Sequence, residues 1–353
     1  MASAETNGEG RRRSPFLRKY LIPAGKTLVS IAFTMLGLLF VTFVIGRVMP
    51  IDPVLAIVGE SASKATYDAA REAMGLDKPL VLQFFIYIGD VVRGDFGMSL
   101  LNARPVSEDI KRVFPATLEL ASLGTIFGVV LGVPLGVIAA VKRGSWIDQI
   151  ARVVALVGYS MPIFWLGLMG LLIFYGILGW VGGPGRLDIF FEDIVPTRTG
   201  MILIDSALAG EWGVFRNAFS HLVLPASLLG YYSLAYVSRM TRSFMLEQLS
   251  AEYITTARVK GLPERTVIWR HALGNIRVQL ITVIALSYAN LLEGSVLTEI
   301  IFSWPGIGSY ITTALLSADM NAVLGGTVVV GLIFILLNIF SDLLYKFFDP
   351  RAK

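Results

Sequence analysis

One acidic side chain stands out as chemically unusual. Glu293 lies inside an apolar run, about 278–301, that is long enough to cross a bilayer. A charge at that depth costs roughly 2.5–3.5 kcal/mol on insertion scales, so the carboxylate should face a cavity or a polar partner. Two interpretations stay open. Either Glu293 lines a path through the membrane, or it is a structural acid hydrogen-bonded near Ser287, Asn290 or Ser295.

Patterns that would indicate an enzyme lack their necessary surroundings. Gly25-Lys26-Thr27 looks like the end of a phosphate-binding loop, but Tyr20 stands where that loop needs a Gly. Asp95-Phe96-Gly97 has neither the glycine-rich loop nor the catalytic loop of a kinase around it. The chain has no Cys and two His, His221 and His271, which exclude disulfides and cannot build a metal site alone. The sequence therefore predicts no catalytic residue, no metal site and no cofactor in this chain.

The composition is that of a membrane protein. Of 353 residues, 55% are apolar and 16% are charged, and the mean hydropathy is +0.68. So little charge could not cover the surface of a soluble domain. The net charge of +4 is too small to indicate nucleic-acid binding. We expect an all-α polytopic fold with six membrane-spanning helices, at about 27–49, 119–141, 153–178, 219–239, 278–301 and 322–345.

The basic residues predict the orientation. They gather in the tail 1–26, after the second span, between the fourth and fifth spans, and in the tail 346–353. With six spans these four regions share one side, so the positive-inside rule places both termini in the cytoplasm. The segment 50–117 then lies outside, and we expect helices at Ala65–Met74 and Pro79–Arg93, the second interfacial or buried rather than a seventh span.

Small residues recur in the second predicted span. Gly128, Gly132 and Gly136 are spaced four residues apart, which lets another helix backbone approach closely. We expect a helix–helix contact here. The spacing leaves open whether the partner helix belongs to this chain or to another.

The connection 246–275, between the fourth and fifth spans, has a helical pattern although it lies outside the bilayer. We expect one helix from about Leu246 to Lys260, closed by Gly261, and a second that starts at Pro263 and ends at Gly274-Asn275. The second helix would place Leu262, Trp269 and Leu273 near one face. Composition alone is equally compatible with a basic loop lying on anionic lipid.

The residue order of this connection resembles a known motif. Thr255-Thr256-Ala257, Gly261 and His271-Ala272-Leu273 resemble the "EAA" loop of ABC importer permeases, in the variant of the dipeptide, oligopeptide and nickel importers. Thr255, Thr256 and Gly274 depart from the general form of that loop. Further phrases of the same branch are residues 75–80, residues 94–99, and residues 302–310 preceded by Glu299, and the resemblance extends from Pro50 to Arg351.

The resemblance implies a permease subunit in a bacterial inner membrane, closest to dipeptide-importer permeases, with a permease core over 118–345. It implies a partner permease, expected to form a heterodimer with this chain, two ATP-binding subunits that bind ATP and Mg²⁺, and an external substrate-binding protein. The residues that it assigns to ATPase coupling are Thr255, Thr256, Ala257, Arg258, Lys260, Gly261, Leu262, His271, Leu273 and Asn275. The expected translocation path or gate contains Glu293, Glu299, Trp304, Pro305 and Gly306.

Two other classes of function remain as alternatives. A secondary transporter or channel would need ionisable relays in several spans or a conducting pore, whereas a single acid lies in one span. A membrane-anchored scaffold would act through the segment 50–117 instead.

Overall fold

The computed structural model describes residues 22–48, 52–59 and 61–348. Within these ranges every extended regular element is a helix, and one isolated β-bridge joins Met98 to Pro105. The predicted basic tail up to residue 21, Pro50 and the closing phrase Asp349-Pro350-Arg351 lie outside the described residues. The all-α class predicted from the sequence is confirmed for the described part of the chain.

The chain divides into two units, residues 1–49 and 50–353. In the first unit, helix α1 covers Ile22–Val48 and includes the apolar window Val29–Gly46, with a mean hydropathy of 2.3. A 27-residue helix is about 40 Å long, which exceeds the hydrocarbon thickness of a bilayer.

The second unit begins with three short helices, α2 (Pro53–Val58), α3 (Lys64–Ala73) and α4 (Leu80–Val92). Asp52 joins the first two: its carboxylate caps α2 by accepting from the Val54 N–H at 2.9 Å and also accepts from the Tyr67 hydroxyl at 2.5 Å. At 13 residues α4 is too short to cross a bilayer, which needs about 20.

Longer helices follow, interrupted by short ones. Their bounds are α5 Val106–Val141, α6 Trp146–Ser160, α7 Ile163–Gly170 with a π-helix at Leu171–Ile177, α8 Ile202–Ala209, α9 Trp212–Leu249, α10 Glu252–Val259, α11 Glu264–Thr266 with a π-helix at Val267–Ala272, α12 Leu273–Asn275, α13 Arg277–Gly294, α14 Val296–Ile301, α15 Ile307–Leu316 and α16 Met320–Phe348.

Candidate membrane spans are α1, α5 and α16, each long and apolar enough by itself. Two bent pairs raise the number to five within the described residues: α6 with α7 and its π-helix, bent by 99°, and the Glu264–Asn275 segment with α13, bent by 63°. The predicted fourth span, 219–239, lies inside α9, which does not meet the same standard of hydropathy. Several polar side chains of α9 lower its hydropathy, and those of Ser233 and Thr241 are fully buried against other parts of the protein.

The closest helix packing is between α5 and α9 of this chain. A Cβ added to Gly128 would lie 2.4 Å from the Ser233 Cβ, and one added to Gly136 would lie 2.6 Å from the Ser238 carbonyl oxygen. Distances below 3.0 Å mean that a larger residue cannot be accommodated without movement of the facing backbone. The predicted contact of the glycine stripe is therefore made, and its partner is a helix of the same chain.

This packing predicts that a single methyl group destabilises the fold. Gly136→Ala should lower the free energy of unfolding by about 1–3 kcal/mol, because the colliding atom belongs to the backbone of α9. Thermal unfolding of the purified protein in detergent measures the change. Gly89→Ala in α4 is the matched control, since a Cβ there meets nothing within 4 Å. Equal melting temperatures for both variants would contradict the packing argument.

Candidate functional site

The connection between α9 and α13 is helical but broken where the sequence predicts continuity. The predicted helix from Leu246 to Lys260 is wrong in this detail, because α9 ends at Leu249 and α10 starts at Glu252. Met245 and Ile254, both fully buried, belong to one apolar cluster. On a continuous helix, residues nine apart point about 180° away from each other, so the break is what lets both side chains enter the same cluster.

The end of α10 has the geometry that its residues predict. Lys260 is the C-cap, and Gly261 follows with φ +77°, the left-handed conformation that favours glycine. The Leu262 N–H donates to the Ala257 carbonyl at 3.2 Å, and the Gly261 N–H donates to that of Arg258 at 2.9 Å. The chain is thereby reversed into α11 in a defined turn.

An ion pair and a cluster hold the two arms of this turn together. The Arg258 Nε lies 2.7 Å from the Glu264 Oε1 across the turn, but both side chains are about half exposed, so the pair contributes only about 0–1 kcal/mol. Burial contributes more. The cluster contains Val137 and Ala140 of α5, Met245 of α9, Ile254 and Ala257 of α10, Val267 and Ala272 of the π-helix, and Ile276 and Leu280 beyond it.

The structure separates the predicted coupling residues into two groups. Ala257 is buried in the cluster, Leu273 is half-buried beside it, and His271 is half-buried. The others are exposed, namely Thr255, Thr256, Arg258, Lys260, Gly261, Leu262 and Asn275. A cavity of about 430 Å³ opens between Ser250, Glu252, Thr255, Thr256, Val259 and Lys260.

One exposed residue of α10 was missed in the sequence. Val259 is 84% exposed, although it is apolar. It lies five residues after Ile254, which places it about 140° around the helix from the buried face. The position of Val259 on the helix follows from the sequence, since it lies outside the apolar stripe of Ile254 and Ala257. We call the exposed side chains of Thr255, Thr256, Val259 and Lys260 the α10 face.

An ion pair between α6 and α9 also lies outside the sequence prediction. The Asp148 carboxylate, fully buried, accepts from the Arg242 Nε at 2.7 Å and from its Nη2 at 2.9 Å. Arg152 adds a contact at 3.5 Å. A bidentate pair of this kind fixes the angle as well as the distance between two helices. No local signal shows it, since 94 residues separate the partners.

Glu293 faces open space. Its side chain is exposed and lines a cavity of about 520 Å³ whose walls come from α6, α7, α9 and α13. Among the described residues it has no hydrogen-bond or ion-pair partner. The two serines that the sequence offered as partners of Glu293 bond other residues: the Ser287 hydroxyl bonds Ser233 at 2.9 Å, and the Ser295 hydroxyl bonds Glu299 at 3.0 Å.

Glu299 has the opposite environment. It is fully buried, and its carboxylate accepts from the Thr117 hydroxyl at 2.6 Å, the Ser295 hydroxyl at 3.0 Å and the Ser309 N–H at 2.9 Å. Gly306 makes this possible, because a Cβ there would lie 2.3 Å from the carboxyl carbon. We call these residues the Glu299 lock.

The other members of the predicted path or gate adjoin this lock. Trp304 is fully buried and donates from its Nε1 to the Ala116 carbonyl at 2.9 Å, whereas Pro305 is exposed. The structure thus brings Glu299, Trp304 and Gly306 together against α5, whereas Glu293 lines the 520 Å³ cavity, whose walls include none of these three residues.

The 180–218 connection is fastened to the same part of α5. Buried Glu119 accepts from the Arg186 Nη2 at 2.5 Å and from the Leu203 N–H at 2.8 Å, and the Arg186 guanidinium lies 5.4 Å from the centroid of the Trp304 ring. His221 of α9 contributes another tie, from its Nδ1 to the Gly183 carbonyl at 2.9 Å.

Asp205 gives the same connection a rigid turn. Burial raises the pKa of Asp205, but hydrogen bonds from the Thr199 N–H and hydroxyl and from the N–H groups of Arg198 and Gly200 outweigh this and bring the pKa below its usual value. The carboxylate therefore stays ionised at neutral pH and holds the three successive backbone N–H groups of residues 198–200, just before α8.

Several helices long and apolar enough to cross a membrane define a helical membrane protein. The comparisons agree. Residues 132–353 match the family described as binding-protein-dependent transport system inner membrane component, and residues 19–121 match its N-terminal membrane-component family. The chain belongs to this family, which consists of permeases of ABC importers and is not an enzyme family.

Individual relatives are similar over nearly their whole length. The chain is 44% identical to the probable D,D-dipeptide transport system permease protein of Escherichia coli K12, over 89% of this chain and 92% of the relative. It is 45% identical to the dipeptide transport system permease protein of the same organism, over 91% and 95%. A chain of the MetNI methionine ABC transporter, in inward-facing conformations, gives 18% identity and a TM-score of 0.48, over 65% of this chain and 92% of that chain.

The Glu299 lock generates a stability prediction. Three donors converge on this carboxylate, so the amide of Glu299→Gln must turn an N–H group toward one of them, and the melting temperature in detergent should fall by an amount equivalent to about 1–3 kcal/mol. Thr117→Val should show a loss in the same range, while Thr117→Ser, which retains the hydroxyl, should stay near wild type. A wild-type melting temperature for both Glu299→Gln and Thr117→Val would refute the lock.

Proposed function

We propose that this chain is the permease subunit that forms half of the translocation path of a bacterial importer for dipeptides or oligopeptides, and that it receives mechanical work from an ATPase at the α10 face. The relatives named as dipeptide permeases support the substrate class. The observation that carries the coupling role is the turn at Gly261, packed through Ile254 and Ala257 onto the ends of α5 and α9.

Packing explains why such a connection could transmit force. A displacement of α10 must move Val137 of α5 and Met245 of α9, because the three helices share one close-packed cluster. A floppy basic loop on lipid would transmit nothing to the spans. The alternative of a lipid-lying loop is therefore less suited to a connection with a buried apolar face.

The remaining assembly follows from the family. We infer a second permease subunit in a heterodimer, two ATP-binding subunits that carry ATP and Mg²⁺, and an external substrate-binding protein, with six spans in the inner membrane and both termini in the cytoplasm. In this orientation α9 is the fourth span, and its polar surface is accommodated by α5, α6 and α13 rather than by lipid. A transporter or channel working without ATP would have no use for the exposed α10 face.

The docking of the ATPase is tested by introducing a charge into the α10 face. Val259→Glu should abolish or strongly reduce copurification of the ATP-binding subunit when the complete transport system is expressed, because it places a desolvated charge in the contact. Leu316→Glu is the control, since Leu316 at the end of α15 is 83% exposed and remote in sequence from the connection. Equal recovery of the ATPase with both variants would argue against this docking site.

The role of the Gly261 turn is tested by substitutions that strain its backbone conformation without adding a charge. Gly261 has open space around its Cβ position, so a substitution acts through φ alone. Gly261→Val costs about 1–2 kcal/mol in the left-handed region, which weakens the turn, and should lower peptide uptake per ATP hydrolysed in proteoliposomes with the chain still inserted. Gly261→Asn tolerates that region and should stay close to wild type. If Gly261→Val imports as much peptide per ATP hydrolysed as the wild type, the turn has no role in coupling.

A further inference from the structure

We propose that Glu293, with Asn290 and the ring of Tyr232, forms a subsite for a primary ammonium group of the transported solute. The inference rests on the proposed function, since it concerns the solute that crosses through this chain. It adds the chemical group that the path recognises and the side chain that recognises it.

The first support is the absence of an internal counter-charge. Within the described residues, the Glu293 carboxylate has no bonded partner, and none of the residues lining its cavity is basic. Arg239 of α9 is not among the lining residues, and its guanidinium lies over the Tyr159 ring, 4.6 Å from the centroid. An exposed carboxylate in a predicted span is costly unless a cation or water meets it.

The second support is the shape and lining of the cavity. Its volume of about 520 Å³ falls in the range of small-molecule sites. The walls are mostly apolar, with Tyr231, Tyr232, Asn290 and Glu293 as polar members. The Tyr231 hydroxyl already donates to the Val154 carbonyl at 2.8 Å, and the Tyr232 ring stacks on Tyr159 with centroids 5.3 Å apart. Tyr232 is thus held as an aromatic surface, which attracts a cation through its ring face.

The third support concerns the kind of cation. A divalent metal ion needs several converging ligands. Within the described residues no group of three or more His, Cys, Asp or Glu side chains comes together. One carboxylate, one amide and an aromatic face instead match an ammonium group, which donates three hydrogen bonds and carries one charge.

The test measures binding inside the cavity directly. Because the chain contains no cysteine, Leu166→Cys places a single thiol of this subunit on the cavity wall. In the complete complex, without ATP, the rate of maleimide labelling of that thiol is followed by the mass of this subunit. The probes are alanyl-alanine amide, which is a cation, and N-acetyl-alanyl-alanine, which is an anion.

We expect the amide to slow labelling and the acetylated peptide not to do so. Adding Glu293→Gln should raise the concentration of amide needed for protection by about tenfold or more, whereas Glu293→Asp should retain most of it. Equal protection by both probes, or unchanged protection in Glu293→Gln, would overturn the proposal. A loss of complex stability in Glu293→Gln with no change in protection would also overturn it, since Glu293 would then pair with a residue of the partner permease.

Uptake assays separate this inference from the function on which it rests. If the wild-type complex fails to import peptides with ATP, the proposed function fails. If the wild-type complex imports peptides and Glu293→Gln shows unchanged amide protection, the ammonium subsite alone is wrong.

Discussion

The close contact between α5 and α9 is the constraint on which the rest of the structure depends. Glycines at 128 and 136 bring the two backbones so near that side chains of one helix meet the main chain of the other. Both helices exceed the length needed to cross a bilayer, and their ends carry the functional connections. Near one end, Thr117 and Glu119 of α5 hold the Glu299 lock and the 180–218 connection. Near the other, Val137 packs against α10. Both connections are thus built on one rigid pair.

Signals that lie within a few residues of each other were sufficient to predict local structure. The turn at Gly261 follows from a basic C-cap, a glycine and a proline in succession, and it is formed as expected. The glycine stripe of α5 indicated a helix contact, but the identity of its partner depends on α9, about 100 residues later, and no local pattern contains it. The break after Leu249 was missed for the same reason, since only the shared cluster of Met245 and Ile254 requires it.

Hydropathy was least informative where helices are most buried. In the proposed six-span arrangement α9 is a polar span whose neighbours satisfy its polar groups: the Ser233 hydroxyl bonds Ser287 of α13, and Arg242 bonds Asp148 of α6. A scale calibrated on transfer to lipid undervalues such a helix, since its alternative environment is protein rather than hydrocarbon. The same reasoning explains why a helix at the centre of the fold gives the weakest sequence signal for a span.

Two glutamates six residues apart show how environment decides the role of a side chain. Glu299 is buried, yet three donors from three parts of the chain satisfy its carboxylate, so it fixes the 302–310 turn to α5. Glu293 has none of these donors and faces a cavity instead. From the sequence alone, both were candidates for the same path. A buried acid whose carboxylate is fully hydrogen-bonded has a structural role, because it holds parts of the chain together. An acid without a partner in a predicted span carries the free-energy cost of its charge and holds nothing together. The second kind can be met by water or by a cation from outside the chain, and the proposed ammonium subsite assigns that cation to the transported solute.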